Sequence, residues 1–223
     1  MKLLLASTSF IVLGLVSYHS FADDYANSNY KPNGNYASIG IGYVSSTAKN
    51  PPCQGTDCYK TQTGPEASLG LQLSALPNLV FGVSGSVLTS PQQNTTLTST
   101  GTSYSVALIG GFGPFDAGIA YSNLHSTVKV CTNGSNSVCA SSSDTGADFG
   151  ALAKIWFGTH LNIGVTLDKY SFSTSTTTYT STGYSLSLIP ARRHSFTFEY
   201  SSTVDQNNIP ISTGGSISYA YLF

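Results

Sequence analysis

Charge is what this chain has least of. Nine basic and ten acidic residues among 223 make up 9% of the sequence and leave a formal net charge of −1, where soluble domains carry about 25% charged residues. With so few charges there is no basic patch to hold nucleic acid and no acidic tail to solvate a flexible segment. Long apolar runs are missing too: beyond the N-terminus no stretch of about eighteen apolar residues could form a spanning helix. Glycine-rich phosphate loops, HExxH and GxSxG are absent, and "GGFGPFDAG" opens no helix, so a nucleotide site lacks its structural context. A chain too poor in charge to cover a water-facing surface, yet without an apolar helix, suits a closed sheet. Such a sheet pairs all its backbone polar groups and needs apolar side chains at alternate positions only.

The first residues, "MKLLLASTSFIVLGLVSYHSFADD", combine Lys2, an apolar stretch from Leu3 to about Tyr18, and small residues at Ser20 and Ala22. This is the pattern of a secretory signal peptide over 1–22, followed by an N-terminal periplasmic or lumen segment over 23–35 and a barrel over 36–223. Cys53, Cys58, Cys131 and Cys139 are the only cysteines. After an export signal, an even count in polar stretches reads as disulfides, with the two local pairings favoured. Cys-x4-Cys and Cys-x7-Cys have no histidine placed beside them, so neither metal nor cofactor is expected.

What is abundant is alternation. Ten segments show a period of two, over about 36–45, 66–75, 79–89, 102–110, 115–126, 147–157, 161–171, 182–189, 195–203 and 211–223. Connections at 76–78, 111–114, 158–160 and 190–194 are tight and rich in Gly and Pro. Those at 46–65, 90–101, 127–146, 172–181 and 204–210 are mostly longer and rich in Ser, Thr, Asn and Gly. This predicts an all-β, up-and-down antiparallel barrel of ten strands, with short turns and both termini on one side and long loops on the other.

One parity of the strands is apolar and the other small or polar. The apolar parity also stratifies its aromatics. Tyr43, Tyr104, Tyr121, Phe149, Tyr184 and Tyr200 fall toward the long-loop end, and Phe81, Phe115, Phe157, Phe196, Tyr221 and Phe223 toward the short-turn end. Two aromatic rings separated by Leu, Ile, Val and Ala are the girdles of a lipid-facing barrel.

The last strand, "SISYAYLF", places Ile217, Tyr219, Tyr221 and Phe223 on one face. On these features the chain resembles the small outer-membrane β-barrel proteins of Gram-negative bacteria, over the whole of its mature length. The resemblance implies a place in the bacterial outer membrane, contact with its lipid and lipopolysaccharide, and recognition of Ile217, Tyr219, Tyr221 and Phe223 by the barrel-assembly machinery. It does not imply an activity.

The opposite parity faces the lumen. It carries Glu66, Asp116, Asp148, Lys154, Asp168 and Glu199, and Asp116, Lys154, Glu199 and Asp168 are the expected lumen charge network. Lys154 is the one inward cation, at a height similar to Asp116 and Glu199. With many Gly, Ser and Ala inward, the lumen is expected to hold water or the 23–35 segment and to offer a narrow passage at most.

No catalytic residue is assigned. The paired rim acids and Asp-x-His of the omptin proteases have no counterpart. His125 and Ser126, adjacent in "NLHSTVK", point to opposite faces of a strand. The Ser/Thr-rich loops suggest a structural or surface-interaction role toward an extracellular ligand, with a narrow, weakly selective channel as the alternative and a lipid-modifying or proteolytic enzyme as a remoter one.

Overall fold

The computed structural model describes residues 35–49, 61–73, 78–91, 95–134, 137–191 and 193–223. The expected signal peptide, the 23–35 segment up to residue 34, and the Cys53–Cys58 pair lie outside the described residues. Ten strands follow one another: β1 (Tyr36–Ala48), β2 (Thr61–Leu73), β3 (Asn78–Pro91), β4 (Thr95–Phe112), β5 (Phe115–Thr132), β6 (Cys139–Phe157), β7 (Leu161–Phe172), β8 (Thr178–Ala191), β9 (His194–Asp205) and β10 (Pro210–Leu222). Each pairs antiparallel with its neighbours in sequence, and β1 closes on β10 with Ile39 opposite Tyr221 and Tyr43 opposite Ile217. The final amide joins this seam, Phe223 N donating to the Ala37 carbonyl at 3.0 Å. A closed ladder leaves no sheet edge unpaired, the condition for β-structure in hydrocarbon.

The two faces separate as the alternation predicts. Outward residues such as Ile41, Leu69, Val83, Leu108, Ile119, Leu167 and Leu186 are exposed along the strands, and the aromatics stand above and below them. Tyr43, Tyr104, Tyr121, Phe149, Tyr184 and Tyr200 are each about half exposed or more, as are Phe115, Phe157 and Phe223 at the other end. Water would penalise such a belt at about 25 cal/mol per Å² of apolar surface. Hydrocarbon removes that penalty, and the belt is therefore the lipid-facing surface of the barrel.

Two expectations need correction. The Ser/Thr-rich stretches read as long loops are largely strand: β4 begins at Thr95, β5 continues to Thr132, β6 begins at Cys139 and β8 at Thr178. Threonine is β-branched and favours the extended backbone, and paired strands can propagate beyond the membrane without apolar alternation. Hydroxyls bridge this extension, Thr127 Oγ1 to Ser143 Oγ at 2.8 Å and Thr96 Oγ1 to Asn133 Oδ1 at 2.9 Å.

The lumen, too, is less uniformly small and polar than the inward parity suggested. Leu88, Leu97, Leu124, Val128, Leu152, Trp156, Tyr170, Phe172, Tyr179, Ile189 and Leu222 are all buried inward. Gly118 shows how the small inward residues help. A Cβ there would stand 2.5 Å from the Leu108 carbonyl oxygen, so glycine lets β4 and β5 approach.

Candidate functional site

Three groups of side chains stand out: a charged cluster low in the lumen, an acidic and aromatic cluster high in it, and the hydroxyl-rich rim. Low in the lumen, Asp116 on β5 lies directly opposite Lys154 on β6. The inward parity of both strands points the two side chains at each other. Asp116 also accepts a hydrogen bond from Trp156 Nε1 at 2.7 Å, and Lys154 feels the attraction of Asp116 and Glu199. Glu199 in turn accepts from Ser216 Oγ at 3.2 Å. Asp116, Lys154, Trp156, Glu199 and Ser216 therefore form one network spanning β5, β6, β9 and β10.

Asp168 lies apart from that network. It is opposite Gly150 on β6, while Lys154 is opposite Gly164, four residues lower on β7. Its acidic neighbour is Asp148, whose charge it opposes. Above the two carboxylates, Leu124, Tyr170, Phe172 and Tyr179 pack together with Ile211. The Tyr170 and Tyr179 rings stack at 5.4 Å, and Phe172 meets Tyr170 edge-on at 6.1 Å. Sequence reading missed this inward aromatic cluster because it treated 172–181, which holds Phe172 and Tyr179, as loop, although Tyr170 falls within the alternating segment 161–171. Tyr170, Phe172 and Tyr179 share the inward parity with Asp168, and extending the alternation by one turn of pleat would have found them.

At the rim, β5 and β6 are held by the disulfide between Cys131 and Cys139, directly opposite residues eight apart in sequence. Here Ser141, Ser142 and Ser143 of β6 are exposed on both faces of the sheet, while Val128 of β5, opposite Ser142, stays buried. Asp144 clasps the β7–β8 connection. It accepts from Ser173 Oγ at 2.7 Å, from the Thr174 hydroxyl and from its neighbour Thr145 N at 2.8 Å. Slight burial pushes the Asp144 carboxyl upward, but the hydrogen bonds from Thr174, Ser173 and Thr145 outweigh it and hold the carboxyl below its ordinary value. Asp205 does the same for the β9–β10 turn, accepting from Asn207 N at 2.8 Å and Ile209 N at 2.9 Å, with Asn208 in the left-handed region at φ 60°. Asparagine tolerates that conformation better than most side chains.

The terminal strand packs against the β8–β9 turn. Tyr219 OH and His194 Nδ1 are 2.7 Å apart, Tyr221 meets the His194 ring edge-on at 5.4 Å, and Phe223 meets Tyr221 at 5.2 Å. Ile217 and Phe223 remain exposed on the lipid face. His194 thus belongs to an outward aromatic group at the short-turn rim. His125 faces outward and is exposed, with Thr102 and Thr145 as its cross-strand partners, while Ser126 pairs with Gly101 and Asp144. The structure does not bring His125 and Ser126 to one site. Among the described residues no group of three or more His, Cys, Asp or Glu side chains is placed to hold a metal ion.

No protein-family model and no curated protein matches this sequence. Solved structures do match. The translocator domain of the autotransporter NalP from Neisseria meningitidis is 11% identical, with 84% of this chain and 88% of that chain covered and a TM-score of 0.52. The attachment invasion locus protein Ail of Yersinia pestis is 12% identical over 85% of this chain and 99% of that one, with a TM-score of 0.47. An outer-membrane channel from Pseudomonas putida F1 is 9% identical over 90% and 100%, with a TM-score of 0.47. At these identities the likeness concerns the fold. With the lipid-facing belt, the two aromatic rings and the closed ten-strand ladder, the chain is a bacterial outer-membrane β-barrel.

Proposed function

We propose that this barrel works at its outer rim, as a surface-interaction protein that presents a hydroxyl-rich β-ribbon to an extracellular ligand. The observation that carries the reading is the uneven height of the wall. β4, β5 and β6 run 18, 18 and 19 residues, against 12 or 13 for β1, β2, β7, β9 and β10. A membrane-spanning strand needs about 9–11 residues, so the surplus adds roughly 25 Å of strand length at about 3.3 Å per residue. It projects on the loop side only, because β4–β5 and β6–β7 are joined by tight turns at the other end. The disulfide and the Asp144 clasp stiffen the ribbon, which lowers the entropy lost when it binds.

The test replaces residues 127–143 with a tight turn. The shortened protein should keep its heat-modifiable mobility on SDS gels yet lose attachment to surfaces coated with glycosaminoglycan or matrix protein. Undiminished attachment to both would remove the ribbon as the binding surface. Recognition of Ile217, Tyr219, Tyr221 and Phe223 by the assembly machinery, and contact of the outer aromatic ring with lipopolysaccharide, belong to the same proposal.

A narrow channel is the second reading. It is favoured by the excess of inward carboxylates, Glu66, Asp116, Asp148, Asp168 and Glu199, over inward lysine or arginine, of which Lys154 is the one instance among the described strand residues. Such a lumen would prefer cations. Conductance steps in planar bilayers that lose some of their anion permeability on Lys154→Ala would support it, and a silent, folded barrel would end it.

A further inference from the structure

We propose that the outer half of the lumen binds an organic cation, an ammonium or guanidinium group, between Asp148 and Asp168, with Ser181 and the stacked Tyr170–Tyr179 pair completing the site. This goes beyond the rim reading and does not depend on it.

The two carboxylates come from neighbouring strands. Asp148 is opposite Tyr170 and Gly150 is opposite Asp168, so the acids are diagonal neighbours on the inner wall. Both are more than nine-tenths buried, at 8% and 7% exposure, and Oδ1 of Asp148 and Oδ2 of Asp168 make no hydrogen bond. The Thr166 hydroxyl serves Asp168, which leaves that second oxygen over. Gly150 makes the room: the Asp168 carboxylate occupies the space that a Cβ at 150 would take.

Ser181 adds an independent sign of a missing partner. It is the direct cross-strand neighbour of Asp168 on the inner face, its side chain is fully buried, and its Oγ is unpaired. Two neighbouring carboxylates and a hydroxyl buried this way are unfavourable unless something compensates them. The neighbouring cations face elsewhere. Lys154 is drawn to Asp116 and Glu199 lower down, and Lys169, next to Asp168 in sequence, is exposed on the outer face.

The chemistry narrows the class of ligand. A divalent metal wants six or more oxygens, or a third carboxylate or imidazole. Among the described residues no such group assembles. Stacked phenol rings next to two carboxylates instead suit a planar or alkyl-substituted cation, which gains from the ring faces as well as from charge. The two acids lie high in the lumen. Phe149 and Leu167, the outward neighbours of the two acids, stand at or beside the outer aromatic ring, and Tyr170 and Tyr179 lie on its loop side.

The test is calorimetric titration of the full refolded barrel in detergent at low salt with agmatine, which carries both groups. The expected result is saturable binding that weakens by about tenfold or more in Asp148→Asn/Asp168→Asn, the loss of at least one charge-assisted hydrogen bond. Ser181→Ala should weaken it less. Agmatine should also perturb the NMR signals of residues 148, 168, 170, 179 and 181 in the unsubstituted protein, a readout that survives if the double variant fails to fold. Absence of saturable binding, unchanged affinity in a folded double variant, or perturbations confined to the Asp116–Glu199 region would overturn the proposal. So would displacement of agmatine by equimolar magnesium or sodium ions, which would make this an inorganic ion site.

Discussion

Replacing Lys154 with methionine probes the lower lumen most directly. Methionine keeps the length and flexibility of the lysine stem but removes the charge that lies between Asp116 and Glu199. Asp116 is 8% exposed, and breaking a buried ion pair by deleting one partner costs about 3–5 kcal/mol. Two features argue for the lower end of that range: Asp116 keeps its 2.7 Å hydrogen bond from Trp156, and Glu199 is only partly buried. A loss of about 3 kcal/mol corresponds to roughly 150-fold in the unfolding equilibrium. The chain's single tryptophan is Trp156, 2% exposed and a member of this network, so its fluorescence during urea unfolding in detergent reports on the site itself. Adding Asp116→Asn should restore part of the loss, because an asparagine oxygen still accepts from Trp156 without leaving an uncompensated charge. A loss below about 0.5 kcal/mol for Lys154→Met, within the scatter of ordinary surface substitutions, would refute the reasoning. So would a double variant less stable than the single one.

Other substitutions test other levels of the structure. Gly118→Ala should destabilise the barrel by about 1–3 kcal/mol, because the added methyl meets backbone and cannot be relieved by a rotamer change; urea midpoints would show it. Cys131→Ser/Cys139→Ser removes a loop closed over eight residues, worth at most about 2.5 kcal/mol by chain entropy. The loss should be local, seen as faster proteolysis within 133–138 while the barrel keeps its gel mobility. The Asp144 clasp is predicted to depend on pH. Its folded carboxyl is depressed, so its contribution is present above the ordinary carboxylate range and is lost as pH falls through the depressed folded value. Hydrogen exchange at Ser173 should accelerate in that acidic window and not at neutral pH, and Asp144→Asn should abolish the dependence. A pH-independent rate in the unsubstituted protein would show that the clasp does not order the connection.

How far the alternation could be read differed between the two ends of each strand. Within the membrane it was unambiguous, since a strand that is one residue out of phase would turn every Leu and Ile of the belt inward. Above the membrane both environments are wet, so polarity no longer alternates, and β4, β5 and β6 were read short by about six or more residues at their outer ends. The same blindness hid Phe172 and Tyr179, the partners of Tyr170. Parity did place Asp116, Lys154, Asp168 and Glu199 on one wall. It could not say which of them meet.

The sequence by itself determined the architecture: ten strands, one lipid face and one lumen face, two aromatic rings, and a first and a last strand that pair, the start of β1 with the end of β10, at the short-turn side. These are consequences of period two and of turn chemistry, both local along the chain. Only the tertiary structure decided that Asp116 faces Lys154 while Asp168 lies diagonal to Asp148, and that the wall stands highest at β4–β6. The height of a residue inside a closed barrel depends on the stagger between neighbouring strands, set jointly by all ten ladders at closure. No single strand contains that quantity.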